Sequence, residues 1–217
     1  MKIVLISDTH ELHHDLFLPE GDILIHAGDF CDEGNIDGVY DFLEWLDETD
    51  FKYKLLIAGN HDFFVEDHPK LFKSLLSSTI IYLEDSGIEL EGIQFWGSPV
   101  QPDLTGWAFG KNRGVEMKAH WDLIPENTDV LITHTPPYDI LDRTGAGYSV
   151  GCEVLKEKVL AIAPKVHVFG HVHASYGQED WHDTLFINAS NISSEMQRLV
   201  NLPIEIEWPL TGLIDKI

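Results

Sequence analysis

Apolar residues occur along this chain in short bursts of strand length. They recur at Lys2–Ile6, Asp22–His26, Lys54–Ala58, Thr79–Leu83, Ile93–Gly97, Val130–Thr133, Val166–Phe169, Leu185–Ala189 and Pro203–Trp208. Several carry no polar interruption, the pattern of strands buried on both faces. Helical periodicities lie between them. Ile36–Thr49 sets Val39, Phe42, Leu43 and Leu46 on one stripe with acids opposite, and His68–Leu76 and Val154–Ala163 read similarly. Pro69 suits the first turn of the second helix, and Pro164 stops the third. Strands alternating with helices, with strand following strand in the middle, predict an α/β fold of two stacked mixed sheets flanked by helices. Residues 98–120 follow neither period and read as a long connection of the kind that often carries function.

The 217 residues, 44% of them apolar, suit one domain spanning 1–217. No stretch reaches the roughly 18 apolar residues of a membrane span. After Met1-Lys2 the chain runs straight into a strand pattern, not a secretory signal, so the expected location is the cytoplasm. Cys31 and Cys152 have no CxxC spacing and read as reduced thiols, Cys152 as packing at a helix start. Charge narrows the partners. With 14 basic and 37 acidic residues the net charge is −23. Long nucleic acid requires a basic surface that displaces counterions from phosphates, so it is excluded as a partner. A small substrate held by local metal charge is favoured, and nothing in the pattern specifies an oligomer or a membrane partner.

Five short segments carry the candidate chemistry. Asp8-Thr9-His10 follows the first strand, and in extended backbone its Asp and His face the same way. Gly28-Asp29 follows the second: the carboxylate has two oxygens with which to bridge two ions, and Gly28 lets the backbone come close. In Gly59-Asn60-His61-Asp62, the Asn60 oxygen is a suitable ligand for a hard or borderline cation. His61 points elsewhere as a proton donor, and Asp62 is expected to fix its tautomer and raise its pKa. His134 ends another strand, and Gly170-His171-Val172-His173 sets two imidazoles on one face of an extended segment. Strand ends deliver side chains to one edge of a sheet, where open α/β folds place their sites. Two Asp, one Asn and four His so collected match the ligand set of a two-metal hydrolytic centre, with Mn²⁺ favoured and Fe, Co²⁺, Ni²⁺ or Zn²⁺ compatible.

Taken in order, these motifs resemble the calcineurin-like metallophosphoesterase superfamily across essentially the whole chain. The resemblance implies a four-layer α/β/β/α sandwich. It places one ion on Asp8, His10, Asp29 and His173 and the other on Asp29, Asn60, His134 and His171, about 3.5–4 Å apart. It further implies in-line attack on phosphorus by a metal-activated hydroxide, with His61 protonating the leaving alkoxide. One departure bears on substrate. Protein Ser/Thr phosphatases of this superfamily carry arginines where this chain has Glu33 and Ala58. A dianionic monoester needs that neutralisation more than a diester does. Ile25–Asp29, Gly97-Ser98-Pro99, Gln101-Pro102, Trp107-Ala108-Phe109, Thr133–Pro137, Val150-Gly151-Cys152 and His167–His171 are similar to the MPPED-type metallophosphodiesterases, which act on cyclic nucleotides and aryl phosphodiesters. Some animal members lack the last His of the GHxH motif; this chain keeps His173, which implies a full site.

The implied activity is therefore hydrolysis of small phosphodiesters, cyclic nucleotides (2′,3′ or 3′,5′) foremost, with a phosphomonoesterase for a nucleotide or other small phosphate as the second reading. Asn60 and His61 are expected at the substrate. Arg113 or Lys111 would meet the phosphate, and Trp107 or Phe109 would stack on a base. His26 and His167 read as structural histidines in strands near the site.

Overall fold

The computed structural model describes residues 1–32, 34–196 and 198–210; Glu33 lies outside the described residues. The first sheet is built from β1 (Lys2–Ile6), β2 (Ile23–Ala27), β3 (Tyr53–Ile57) and β4 (Ile80–Tyr82), which are mutually parallel. The last strand of the chain, Ile204–Glu207, returns antiparallel beside β1. Helix α1 (Ile36–Glu48) connects β2 to β3, and α2 (Phe63–Asp67) and α3 (Pro69–Leu75) connect β3 to β4. The side chain of Asn35 starts α1 by accepting from the Gly38 amide at 2.8 Å.

The second half of the chain builds the second sheet. A hairpin of β5 (Ser86–Leu90) and β6 (Ile93–Ser98) opens it. A two-stranded ribbon of β7 (Gln101–Pro102) and β8 (Gly110–Lys111) and helix α4 (Val115–Trp121) come next. Then follow β9 (Val130–Thr133), α5 (Glu153–Ile162), β10 (Val166–Phe169), and the hairpin β11 (Gly177–Trp181) with β12 (Thr184–Asn188). Strands β6, β9, β10 and β12 are parallel, in spatial order β11-β12-β10-β9-β6-β5. The strand returning beside β1 is β13 (Ile204–Glu207).

Side-chain alternation explains the uninterrupted apolar runs. Ile3, Leu5, Ile25 and Leu55 point between the sheets onto Phe95, Ile132, Val168 and Ile187. Their neighbours Val4, Ile6, Leu24 and Leu56 point outward onto Val39, Phe42 and Leu46 of α1 and Phe72 of α3. On the far side, Trp96, Leu131, Phe169 and Phe186 meet Met117 and Trp121 of α4 and Leu155 and Val159 of α5. The result is four layers, α/β/β/α, as expected. Each fully buried aliphatic side chain contributes about 1.5–3 kcal/mol, so three such interfaces hold the layers firmly.

The differences from the sequence reading lie at the edges. Strands β5 and β11 have no apolar run to announce them, because they are edge strands with exposed Glu89, Glu179 and Asp180. Charge there blunts edge-to-edge pairing. Residues 98–120, read as a long connection, contain β7, β8 and α4, whose Met117 and Trp121 are buried. Among the described residues no helix is long and apolar enough to cross a membrane. Cys31 and Cys152 are both free and buried.

Candidate metal centre

Strands β1, β2 and β3 of one sheet and β9 and β10 of the other deliver the five segments to a common edge. The two sheets are stitched together there. Asn191, after β12, donates its amide to the Ser7 carbonyl after β1 at 2.9 Å, and the His134 ring, after β9, donates to the Ala27 carbonyl of β2 at 2.9 Å. The backbone beyond the strands is not extended, which corrects the alternation argument for Asp8-x-His10 and His171-x-His173. Asp8, His10, Asp29 and His171 have φ of 54°, 41°, 57° and 67°. Such left-handed geometry costs about 1–2 kcal/mol per non-glycine residue and accumulates at functional sites. Hydrogen bonds hold it in place: Asp8 N–H to the Gly28 carbonyl at 2.9 Å and His10 N–H to the Asp29 carbonyl at 3.1 Å.

Two glycines make the approach possible. Gly28 has φ of 96°, and a Cβ there would lie 2.6 Å from His134 Nδ1. At Gly170 a Cβ would collide with the Asp8 carboxylate and the Ser7 hydroxyl.

The left-handed turn at His171 sends the two imidazoles of the fourth motif to different places. One group comprises Asp8, His10 and His173, and a second comprises Asp29, His134 and His171. In the first, His173 Nε2 is 3.3 Å from Asp8 Oδ1. In the second, His134 Nε2 is 3.1 Å from Asp29 Oδ2 and 3.0 Å from Asn60 Oδ1. His171 Nδ1 is 2.7 Å from the same Asn60 oxygen. Asp29 lies between the groups, its Oδ2 also 3.8 Å from His10 Nε2. All seven residues expected as ligands are thus gathered at one place.

The electrostatics follow from burial and pairing. Burial works against charge on Asp8, but the hydrogen bond and field of His173 outweigh it and hold the carboxyl below the usual range. Asp29 is likewise penalised by burial and held low by His134. Burial opposes charge on His134 too, yet Asp29 raises it to about 9. Burial lowers His10, and it lowers His171 to about 3 with help from the field of His134.

These donors fit divalent cations. His134 Nδ1–H donates to the Ala27 carbonyl at 2.9 Å, which turns Nε2 toward Asp29 and Asn60, where a cation would take the place of the proton that Asp29 favours. The Asp29 and Asn60 oxygens and the His134 and His171 ring nitrogens thus face one another. His10 is buried with neither ring nitrogen hydrogen-bonded, which is costly unless something positive coordinates it.

His61 stands beside the first group, its ring 4.6 Å from His10 at 90°. Its Nδ1–H donates to the Asp32 backbone carbonyl at 2.6 Å, and the Asp32 carboxylate is 3.8 Å from the same nitrogen. Asp32 was missed from sequence, because the contact runs mainly through a main-chain oxygen that leaves no residue signature. Asp62 does not fill the role expected of it. Its carboxylate accepts from the backbone N–H of Gly59, Asp29 and Cys31 at 2.7, 3.0 and 2.9 Å. It ties the second and third motif loops together. Burial and the neighbouring Asp29 push its carboxyl up, and the N–H donors oppose this.

Arg113 is corrected too. Its guanidinium donates to the carbonyls of Val150 and Gly151 at 2.8 and 2.9 Å and to Glu153 at 2.6 Å, bracing the loop before α5 and not a phosphate. Phe109 is buried in the core beside α1, so of the two expected stacking residues only Trp107 stands open. Trp107 is 39% exposed and lies 4.3 Å from the His61 ring, braced by Phe63. A cavity of about 320 Å³ adjoins the centre, lined by His171 and His173 together with Leu104, Val150, Val172 and Ala174. Its size suits a small organic ligand. His26 and His167 are buried strand residues, as expected, bonded to the hydroxyls of Thr9 and Thr133.

Comparison with known proteins agrees with this geometry. Residues 1–175 match the family described as calcineurin-like phosphoesterase. The chain is 38% identical to metallophosphoesterase domain-containing protein 1 of Homo sapiens, over 96% of this chain and 71% of that protein. It is also 38% identical to a UPF0046 protein of Caenorhabditis elegans, over 91% of this chain and 72% of that one. Among solved structures, TT1561 of Thermus thermophilus superposes with a TM-score of 0.59 over 86% of this chain and 88% of its own, at 12% identity, a likeness of fold alone.

Proposed function

Since the chain belongs to the calcineurin-like phosphoesterase family, and is on that ground a metal-dependent phosphoester hydrolase, we propose that it cleaves small phosphodiesters, with cyclic nucleotides (2′,3′ or 3′,5′) the leading class. We take residues 1–217 as one catalytic domain acting in the cytoplasm, on small substrates and not on long nucleic acid. The observation that carries the reading is the paired ligand groups meeting at Asp29 with His61 alongside.

Asp8, His10, Asp29 and His173 would hold one ion and Asp29, Asn60, His134 and His171 the other, with Mn²⁺ the favoured metal. Divalent ions held there neutralise phosphoryl oxygens and acidify a water. The Ala27 carbonyl keeps the His134 ring aimed at the centre. The Asp32 carbonyl holds the His61 ring through Nδ1, leaving Nε2–H as the proton that passes to the leaving alkoxide. Trp107 walls one side of His61 and offers a face for a base. Preference for a diester is supported by what stands where phosphate-gripping arginines would be. Ala58 is fully buried at the end of β3, and the Arg113 guanidinium is bound to two carbonyls and Glu153.

The test is hydrolysis of 2′,3′-cAMP, 3′,5′-cAMP, AMP and bis-p-nitrophenyl phosphate after EDTA stripping and Mn²⁺ reconstitution. Metal-dependent cleavage of the diesters and not of AMP is the expected result. Cleavage of AMP alone would replace this reading with the phosphomonoesterase.

A further inference from the structure

A third group of metal-type donors lies outside the centre. His13 and His14 sit in the 3₁₀ turn His13–Asp15, and Asp41 stands across from them on α1. His13 Nε2 is 3.0 Å from Asp41 Oδ2, and His14 Nε2 is 3.1 Å from both Asp41 oxygens. The two rings lie 4.5 Å apart. These three residues share no member with the phosphoesterase centre.

We propose that His13, His14 and Asp41 form a separate site for a transition-metal ion of the zinc class. The spacing supports it. Donors about 2.0–2.1 Å from a tetrahedral zinc lie roughly 3.3 Å apart, within a few tenths of an ångström of the separations here. The ligand types support it as well, since two imidazoles and a carboxylate suit zinc better than the all-oxygen shells of Mg²⁺ or Ca²⁺. Burial is graded across the group. The His13 side chain is fully buried against Phe42 and Trp45, whereas those of His14 and Asp41 are 60% and 53% exposed. One ligand is thus rigid, and the open side leaves room for water as a fourth. Burial, and next the field of His14, lower His13 to about 4, so near neutral pH it carries a lone pair for a metal. A net charge of −23 raises the local concentration of cations.

The position gives such an ion a consequence. The turn begins five residues after Asp8, three after His10 and two after Glu11, all three in left-handed backbone. An ion joining it to α1 would brace the loop that presents two ligands of the phosphoesterase centre.

The experiment uses the full chain and its His14→Ala and Asp41→Asn variants, leaving the buried His13 intact. Each is dialysed against zinc buffered in the low micromolar range, and bound metal per chain is counted by elemental analysis. Melting curves in EDTA establish that all three are folded. The expected result is one zinc fewer per chain in each variant than in wild type, with a smaller zinc-induced rise in melting temperature. Equal stoichiometry in all three overturns the site, whether the extra zinc is absent from wild type or survives in the variants on surface carboxylates. Because the count compares variants at a site apart from the centre, it does not depend on which phosphoester the protein cleaves.

Discussion

The two ligand groups of the centre are held in different ways. Around Asp29, His134, His171 and Asn60, polar atoms meet within 3.1 Å, and the Ala27 carbonyl locks the His134 ring from behind. Among Asp8, His10 and His173 themselves the closest approach is 3.3 Å; Asp8 is held from outside the group by the His171 N–H at 3.0 and 3.1 Å, and His10 makes no hydrogen bond through either nitrogen. One half is assembled by the protein, whereas the other keeps donors in place for an ion to complete. Preorganised donors bind more tightly because less is lost in ordering them. The second group is therefore expected to fill first.

The largest effect should come from the residue the groups share. Asp29→Ala is expected to remove both ions and to lower turnover by more than the ~100-fold typical of losing an outer partner of a ligand. Elemental analysis beside turnover checks this; retention of both ions would mean the groups are independent of Asp29. His61→Ala should leave the metal count intact. It should cost about 10²–10⁴-fold on substrates with poor leaving groups and less on aryl esters. Equal losses on both kinds would reject the proton-donor role. His173→Ala should cost one ion, the one held by the looser group, while the ion at Asn60 and His134 remains. Loss of both would show that the halves fill as a unit. The smallest effect belongs to Asp62→Asn, which weakens the acceptor for three loop N–H groups and should cost about 1–3 kcal/mol of stability in urea unfolding. The pH profile of turnover should not move, and a displaced limb would restore Asp62 as the partner of His61.

Much of this molecule was legible beforehand. Strands β1, β2, β3, β9 and β10 announced themselves because a strand covered on both faces needs apolar side chains at every position. Strands β5 and β11 did not, since edge pairing is made by backbone groups and tolerates glutamates on the open face. The candidate ligand residues were legible by type and by place at strand ends. Their separation into two groups was not legible from spacing, because positive φ at His171 breaks the alternation on which a spacing argument depends. Arg113 and Asp62 were misread for a common reason. Each is bonded to backbone groups up to 38 positions away, and main-chain partners carry no residue identity to read.

The sequence by itself determined the layers, the supply of imidazole and carboxylate at the strand ends, and the acidic balance. These depend on local periodicity, residue chemistry and total charge. Tertiary structure alone decided which histidine joins which carboxylate, that His61 rests on the Asp32 carbonyl, and that His13, His14 and Asp41 converge. Those outcomes depend on backbone turns of a few ångströms and on contacts between segments far apart in the chain, where packing and not pattern sets the distance.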